Sequence, residues 1–150
     1  MEPPPHGSEL RKGRFSESGR IYFITFVTHR RRPIFMNLAC ARRVICIMHN
    51  EPRVESLAFV VMPDHVLWLV GLAEDVELRH IVKSVKGRSG YELNRAIRNR
   101  GPFWQPGYHD HAVRKDEDLV GIARYIVANP LRAGLVKRLA DYPHWDAVWL

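Results

Sequence analysis

Histidine and tyrosine side chains recur in this 150-residue chain at spacings that matter for chemistry. His65 follows Met62-Pro63-Asp64 and opens the apolar run Val66-Leu67-Trp68-Leu69-Val70. His109 and His111 flank Asp110. On a strand, residues i and i+2 point to one face, so two imidazoles at that spacing can meet one cation. Tyr125 precedes Asn129 by one helical turn, which directs a phenol and a carboxamide the same way. A stripe that served only the core would avoid this pairing, because an unpartnered buried polar group is costly. Each residue also has a plain structural reading. His65 and Asp64 fit a hairpin corner, where Asp64 supports the turn or engages His65 or an ion. Tyr125, between Ile122 and Ile126, reads equally as a core aromatic.

Charge narrows the partner. Lys and Arg total 23 against 16 Asp and Glu, a formal +7 with a pI near 9.8. A surplus of this size favours a polyanion, since each cation placed at a phosphate releases condensed counterions. A merely basic protein would have the same composition, so location matters. Arg79, Lys83 and Lys86 fall on one stripe of a helical segment that also carries Arg88, and the excess of one sign there suits phosphate tracking better than a solvated face. Arg11, Lys12 and Arg14 lie near the N-terminus, and Arg30 and Arg31 in a turn. Trp104 is open to two readings, a base-stacking platform or a core residue.

These groups must be positioned by one small domain. Apolar residues make up 46% and charged residues 26%, an ordinary globular composition. Residues 1–19 are rich in Pro and Gly with few apolar side chains, which predicts a basic arm. A strand is expected at 21–28 and a helix at 37–49, with Asn37 as N-cap and Glu51-Pro52 as the stop. Two strands at 56–62 and 65–71 flank Pro63-Asp64 as a tight hairpin. A long helix over 76–98 has Gly87 and Gly90 as points of kinking or splitting. A strand over 108–114, a last helix over 116–128 and a partly apolar tail complete the chain. The order β-α-β-β-α-β-α predicts an α+β, ferredoxin-like split βαβ fold, an antiparallel sheet with helices packed on one face. The domain is expected over 20–140 and the tail over 141–150.

Three segments carry a resemblance: Met62-Pro63-Asp64-His65-Val66-Leu67, Phe103 to His111, and Ala123-Arg124-Tyr125-Ile126-Val127-Ala128-Asn129-Pro130-Leu131-Arg132-Ala133-Gly134-Leu135-Val136. Over roughly residues 14–140 the chain resembles the single-tyrosine HUH transposases, and within them the REP-associated tyrosine transposases. The resemblance implies metal-assisted cleavage and joining of hairpin-forming single-stranded DNA through a 5′-phosphotyrosine link. It implies Tyr125 as nucleophile, His65 and Asn129 as ligands of Mg²⁺ or Mn²⁺, and Asp64, Asp110 and His111 as groups beside the site or on DNA. It likens the stretch around Lys83, Lys86 and Arg88 to a DNA-contacting helix. Leu67 departs from the pattern: it stands where the family has the second histidine of His-x-His, and a leucine has no lone pair. An impaired metal site is therefore expected, with the His109 and His111 pair as a less favoured substitute for the missing ligand.

Some function classes are excluded or disfavoured. No apolar run approaches the ~20 residues that span a bilayer. The N-terminus has no signal-peptide pattern, and Cys40 and Cys46 within one apolar-periodic segment are no disulfide framework, so a cytoplasmic site is expected. An inactive, sequence-specific DNA-binding protein is the first rival reading, favoured by Leu67. An RNA-binding module is the second, disfavoured because residues 21–28 lack the Gly-interleaved aromatic signature of such sheets. A monomer and a homodimer remain equally compatible with the sequence.

Overall fold

The protein was studied as a computed structural model that describes residues 20–114 and 116–149. Five strands form one sheet: β1 (Ile21–Val27), β2 (Val54–Val61), β3 (His65–Leu72), β4 (His109–Ala112) and β5 (Trp145–Ala147), in the order β4-β1-β3-β2-β5. Every paired neighbour is antiparallel. The first four strands have the arrangement expected of a split βαβ fold. β5 was not expected from the sequence. It is three residues long and adds itself to the outer edge of β2.

Helix α1 (Leu38–His49) begins where Asn37 accepts a hydrogen bond from the Cys40 amide at 3.2 Å, the expected N-cap. Helix α2 (Leu78–Ile97) runs unbroken through Gly87 and Gly90. Gly90 is buried against Trp104, and a Cβ there would only just touch the indole at 3.6 Å. Helix α3 (Leu119–Val127) is followed directly by the short helix α4 (Asn129–Arg132), with Ala128 between them.

One detail of the layering differs from expectation. α1 and α2 cover one face of the sheet, packing on Ile24, Phe26, Trp68 and Val70. α3 lies on the opposite face, where Ala123 and Ile126 meet Leu57, Val60, Leu67 and Leu69. The cause is β3, which is buried from Val66 to Leu72 on both sides. A strand with apolar residues in both alternating sets needs cover on both faces. Leu67 and Leu69 thus recruit the last helix, and that helix carries Tyr125.

Candidate active site

Where β2 turns into β3, the Met62 amide donates to the His65 carbonyl at 2.8 Å and closes the Pro63-Asp64 hairpin. A second turn, Thr28 to Phe35, is laced onto this corner. The Thr28 amide donates to the Asp64 carbonyl at 2.9 Å, and the Phe35 amide to the Pro63 carbonyl at 3.0 Å. The Thr28 hydroxyl lies within reach of both the Arg32 carbonyl at 2.8 Å and the Asp64 carbonyl at 3.1 Å. The turn bends sharply, with Arg30 and Arg31 both at positive φ, 56° and 53°. That conformation disfavours side chains with a Cβ. Here it carries Arg31 back to Asp64, Nη1 to Oδ2 at 3.3 Å.

Asp64 in turn orients His65. Its Oδ1 lies 2.7 Å from His65 Nδ1. Burial pushes the Asp64 carboxyl up, but the His65 and Arg31 interactions outweigh it and leave the group below its usual range. An ionised carboxylate only accepts, so Nδ1 carries the proton and the Nε2 lone pair is free to face outward. Nε2 lies 3.4 Å from Asn129 Nδ2, at the start of α4. A half-turn of the carboxamide presents Oδ1 instead, and the two orientations differ little in shape.

Tyr125 belongs to the same face. Antiparallel register pairs Phe23 with Leu69, Thr25 with Leu67 and Val27 with His65. Successive odd positions of β1 and β3 therefore share the surface on which α3 rests. The Tyr125 ring meets the edge of Phe23 at 6.4 Å between centroids and is 56% exposed, which removes the reading of it as a core residue. Arg132 lies with Cζ 4.0 Å from the Tyr125 ring centroid. Composition and motif alone assign Arg132 no role. The i, i+7 spacing, two turns along one helical face, was the signal that could have found it.

The remaining expected site residues divide. His111 stands opposite Phe23, on the Tyr125 face, and its Nε2 is 3.0 Å from Glu117. Asp110 pairs with Ile24 and so lies on the other face, the one covered by α1 and α2, where its charge helps burial to raise the pKa of Tyr108. This corrects the expectation that it sits beside the site; the period of two on a strand separates neighbours across the sheet. His109 pairs with Thr25, in one row with Leu67 but with β1 between them, about 10 Å away by strand spacing. Among the described residues no group of three or more His, Cys, Asp or Glu could hold a metal ion.

Two expected DNA contacts have other work. Trp104 is 7% exposed, its indole N–H donates to Ser89 Oγ at 3.0 Å, and it packs on Phe26, Phe35 and Phe103. The core reading of it holds. Lys86 donates from Nζ to the carbonyls of Gln105 and Gly107 at 2.7 and 2.6 Å, and burial lowers its pKa. It staples the 103–107 loop to α2 instead of facing solvent. Arg79, Lys83 and Arg88 are exposed, Arg79 in an ion pair with Glu77 at 2.6 Å. Arg30 is exposed as well. Arg11, Lys12 and Arg14 lie outside the described residues.

The donor set can be tested against a divalent cation. His65 Nε2 and Asn129 Oδ1 fit two corners of an octahedral ion. Leu67, on the same face and packed with the α3 cluster, offers none. Water and phosphate oxygens can complete such a shell, so the residues present fit Mg²⁺ or Mn²⁺.

A sheet with an imidazole at a hairpin corner, and a tyrosine and an asparagine on two successive helices over the same face, defines a class that comparison with known proteins identifies. Residues 17–129 match the family described as "Transposase IS200 like", and the chain belongs to that family. The REP-associated tyrosine transposase of Escherichia coli K12 is 28% identical over 143 residues, covering 91% of this chain and 80% of that protein. A Haemophilus influenzae protein described as a candidate of the same type is 25% identical over 141 residues, 84% of this chain and 78% of that one. Among solved structures, a REP-associated tyrosine transposase bound to a REP hairpin superposes with a TM-score of 0.69 at 25% identity, covering 85% of this chain and 76% of that one. Within the family this chain resembles the REP-associated tyrosine transposases in sequence and fold alike.

Proposed function

We propose that this protein binds hairpin-forming single-stranded DNA and cleaves and rejoins it through Tyr125, with its divalent site weakened at Leu67. The observation that carries this reading is the approach of His65 Nε2 to the Asn129 carboxamide, 3.4 Å apart, on the face over which Tyr125 lies. The structural relative solved with a REP hairpin supports the choice of DNA. In the forward step, Tyr125 Oη gives up its proton and bonds to the scissile phosphorus as the bond from phosphorus to O3′ breaks. The proton released here balances the one gained by the leaving oxygen. The leaving oxygen takes up a proton, and a 5′-phosphotyrosine and a free 3′-hydroxyl result. Rejoining is the reverse attack by a 3′-hydroxyl, and since the phosphodiester energy is kept, no nucleotide cofactor is needed.

The chain's own residues have distinct parts in this chemistry. A neutral phenol is a weak nucleophile until its developing charge is stabilised. Arg132, stacked on the Tyr125 ring, holds that ring and adds positive potential where a phosphate approaches. Asp64 fixes the His65 tautomer, and Arg31 fixes Asp64. A bound Mg²⁺ or Mn²⁺, held by His65 and Asn129, would supply Lewis-acid stabilisation of the phosphate. His111, held by Glu117, stays near the Phe23 row on the same face.

A second reading, a protein that recognises hairpin DNA without cutting it, is favoured by one observation: the buried Leu67. Incubating a labelled DNA hairpin bearing a single-stranded flank with the protein and Mg²⁺ or Mn²⁺ separates the two. Strand cleavage, strengthened in Leu67→His, supports the transposase reading. Tight binding with no cleavage by either protein supports the rival. Both a monomer and a homodimer are consistent with the fold.

A further inference from the structure

The outer face of α2 carries a surface that the proposed chemistry does not use. Tyr91 is 64% exposed there, and Arg95 holds it, with Nη1 donating to the hydroxyl at 3.0 Å and Cζ 5.5 Å from the ring centroid. These two residues line two adjoining grooves. One, about 480 Å³, runs between α1 and α2 past Arg43; the other, about 450 Å³, crosses the C-terminal end of α2 between Arg98 and Arg100. Glu92, the carboxylate in the lining, is already met by Arg43 at 3.6 Å. No carboxylate among the described residues pairs with Arg95, Arg98 or Arg100.

This surface is joined to the candidate active site by the basic turn. Arg32 donates to Asn99 Oδ1 at 3.1 Å and to the Pro102 carbonyl at 3.2 Å, at the end of the second groove. Its neighbour Arg31 reaches Asp64, the partner of His65. A line of arginines therefore leads from the hairpin corner, around the end of α2, to Tyr91, about two helical turns or ~11 Å from Arg98. Spaced guanidinium groups follow a phosphate backbone, and an exposed aromatic stacks a base without reading its identity.

We propose that this arginine–tyrosine track binds the single-stranded DNA that flanks the hairpin, leading it away from Tyr125. The proposal rests on the DNA-binding reading above and adds a second subsite to it. Stacking on Tyr91 and phosphate contacts from Arg95, Arg98 and Arg100 would be independent of flank sequence, so the gain in affinity should depend on flank length alone.

Equilibrium binding tests this with two probes: a DNA hairpin, and the same hairpin with an oligo(dT) flank of about ten nucleotides on either side in turn. The protein should bind one flanked probe at least about fivefold more tightly than the bare hairpin, and Tyr91→Ala should remove that difference while leaving bare-hairpin affinity unchanged. Arg95→Gln and Arg98→Gln should each lower the salt dependence of flanked binding by about one counterion. Arg138→Gln, which removes an exposed arginine in the C-terminal segment, controls for net charge. These residues are exposed, so the variants are expected to fold. Equal affinity for flanked and bare hairpins would overturn the track while leaving hairpin binding intact. So would Arg95→Gln, Arg98→Gln and Arg138→Gln acting alike. Failure of the wild-type protein to bind any of the probes would overturn the hairpin reading and the track together.

Discussion

His65 and Asn129 stand 64 positions apart in sequence, and their side chains approach to 3.4 Å on one face of the sheet. The contact joins a β-hairpin corner to the junction of two helices. It exists because Leu67 and Leu69, on the strand His65 begins, bury themselves against α3. The same packing that creates the site occupies the position where a second imidazole would stand.

Leu67→His should therefore restore a ligand at a price in packing. Even outer partners of metal ligands are worth 10–100-fold in affinity, so Mn²⁺ binding measured by calorimetry should tighten by at least about tenfold. Without metal, the variant should lose about 1–3 kcal/mol of stability, because a polar ring replaces a buried leucine. Unchanged Mn²⁺ affinity in a folded variant would remove Asn129 and His65 as a nascent site.

Lys86 is expected to act on loop order. Lys86→Met keeps the aliphatic stem but deletes both donors to the Gln105 and Gly107 carbonyls, at a cost of about 1.5–3 kcal/mol. Hydrogen exchange should quicken at the amides of the 103–107 loop, including that of Gln105, which donates to the Val27 carbonyl. A phosphate contact would instead leave exchange untouched and lower DNA affinity.

Trp104→Ala should cost about 3–5 kcal/mol in denaturant unfolding, as expected for an aromatic lost from the core. A stacking platform for DNA bases would lose affinity with little change in stability. Trp104→Phe, which keeps the ring but strands Ser89 Oγ without its donor, should fall between the wild type and the alanine variant.

His144 sets a pH dependence of stability. It is buried, and burial together with the Arg42 charge lowers its pKa in the folded protein. The unfolded chain then binds the proton more readily than the folded one. The stability from burying the neutral ring is complete above about pH 6.5 and is lost as pH falls through the folded value. Melting temperatures from pH 8 to 5 should decline less steeply in His144→Gln than in the wild type. Parallel curves would contradict this.

Much of the frame was legible in the sequence. Asn37, Glu51-Pro52 and Pro63-Asp64 mark their boundaries through local backbone chemistry that no tertiary contact overrides. The Tyr125–Asn129 pairing was legible because helical spacing alone aligns the two residues. What was not legible depended on which elements meet. Lys86 reads as a free cation until the 103–107 loop folds over it, and Trp104 reads as a platform until Ser89 appears beneath its indole. The cover of both sheet faces was written in the unbroken run Val66 to Leu72, but assigning it to α3 required the register. β5 was hidden because three residues carry too little periodicity to signal a strand.

The most direct test is to look for the covalent bond itself. The protein and Tyr125→Phe are incubated with Mn²⁺ and a labelled hairpin DNA with flanks, then denatured, digested and analysed by mass spectrometry. A peptide containing Tyr125 that carries a 5′-linked nucleotide, formed by the wild type, increased in Leu67→His and absent from Tyr125→Phe, is the expected result. An adduct at any other residue, or one that persists in Tyr125→Phe, would contradict it.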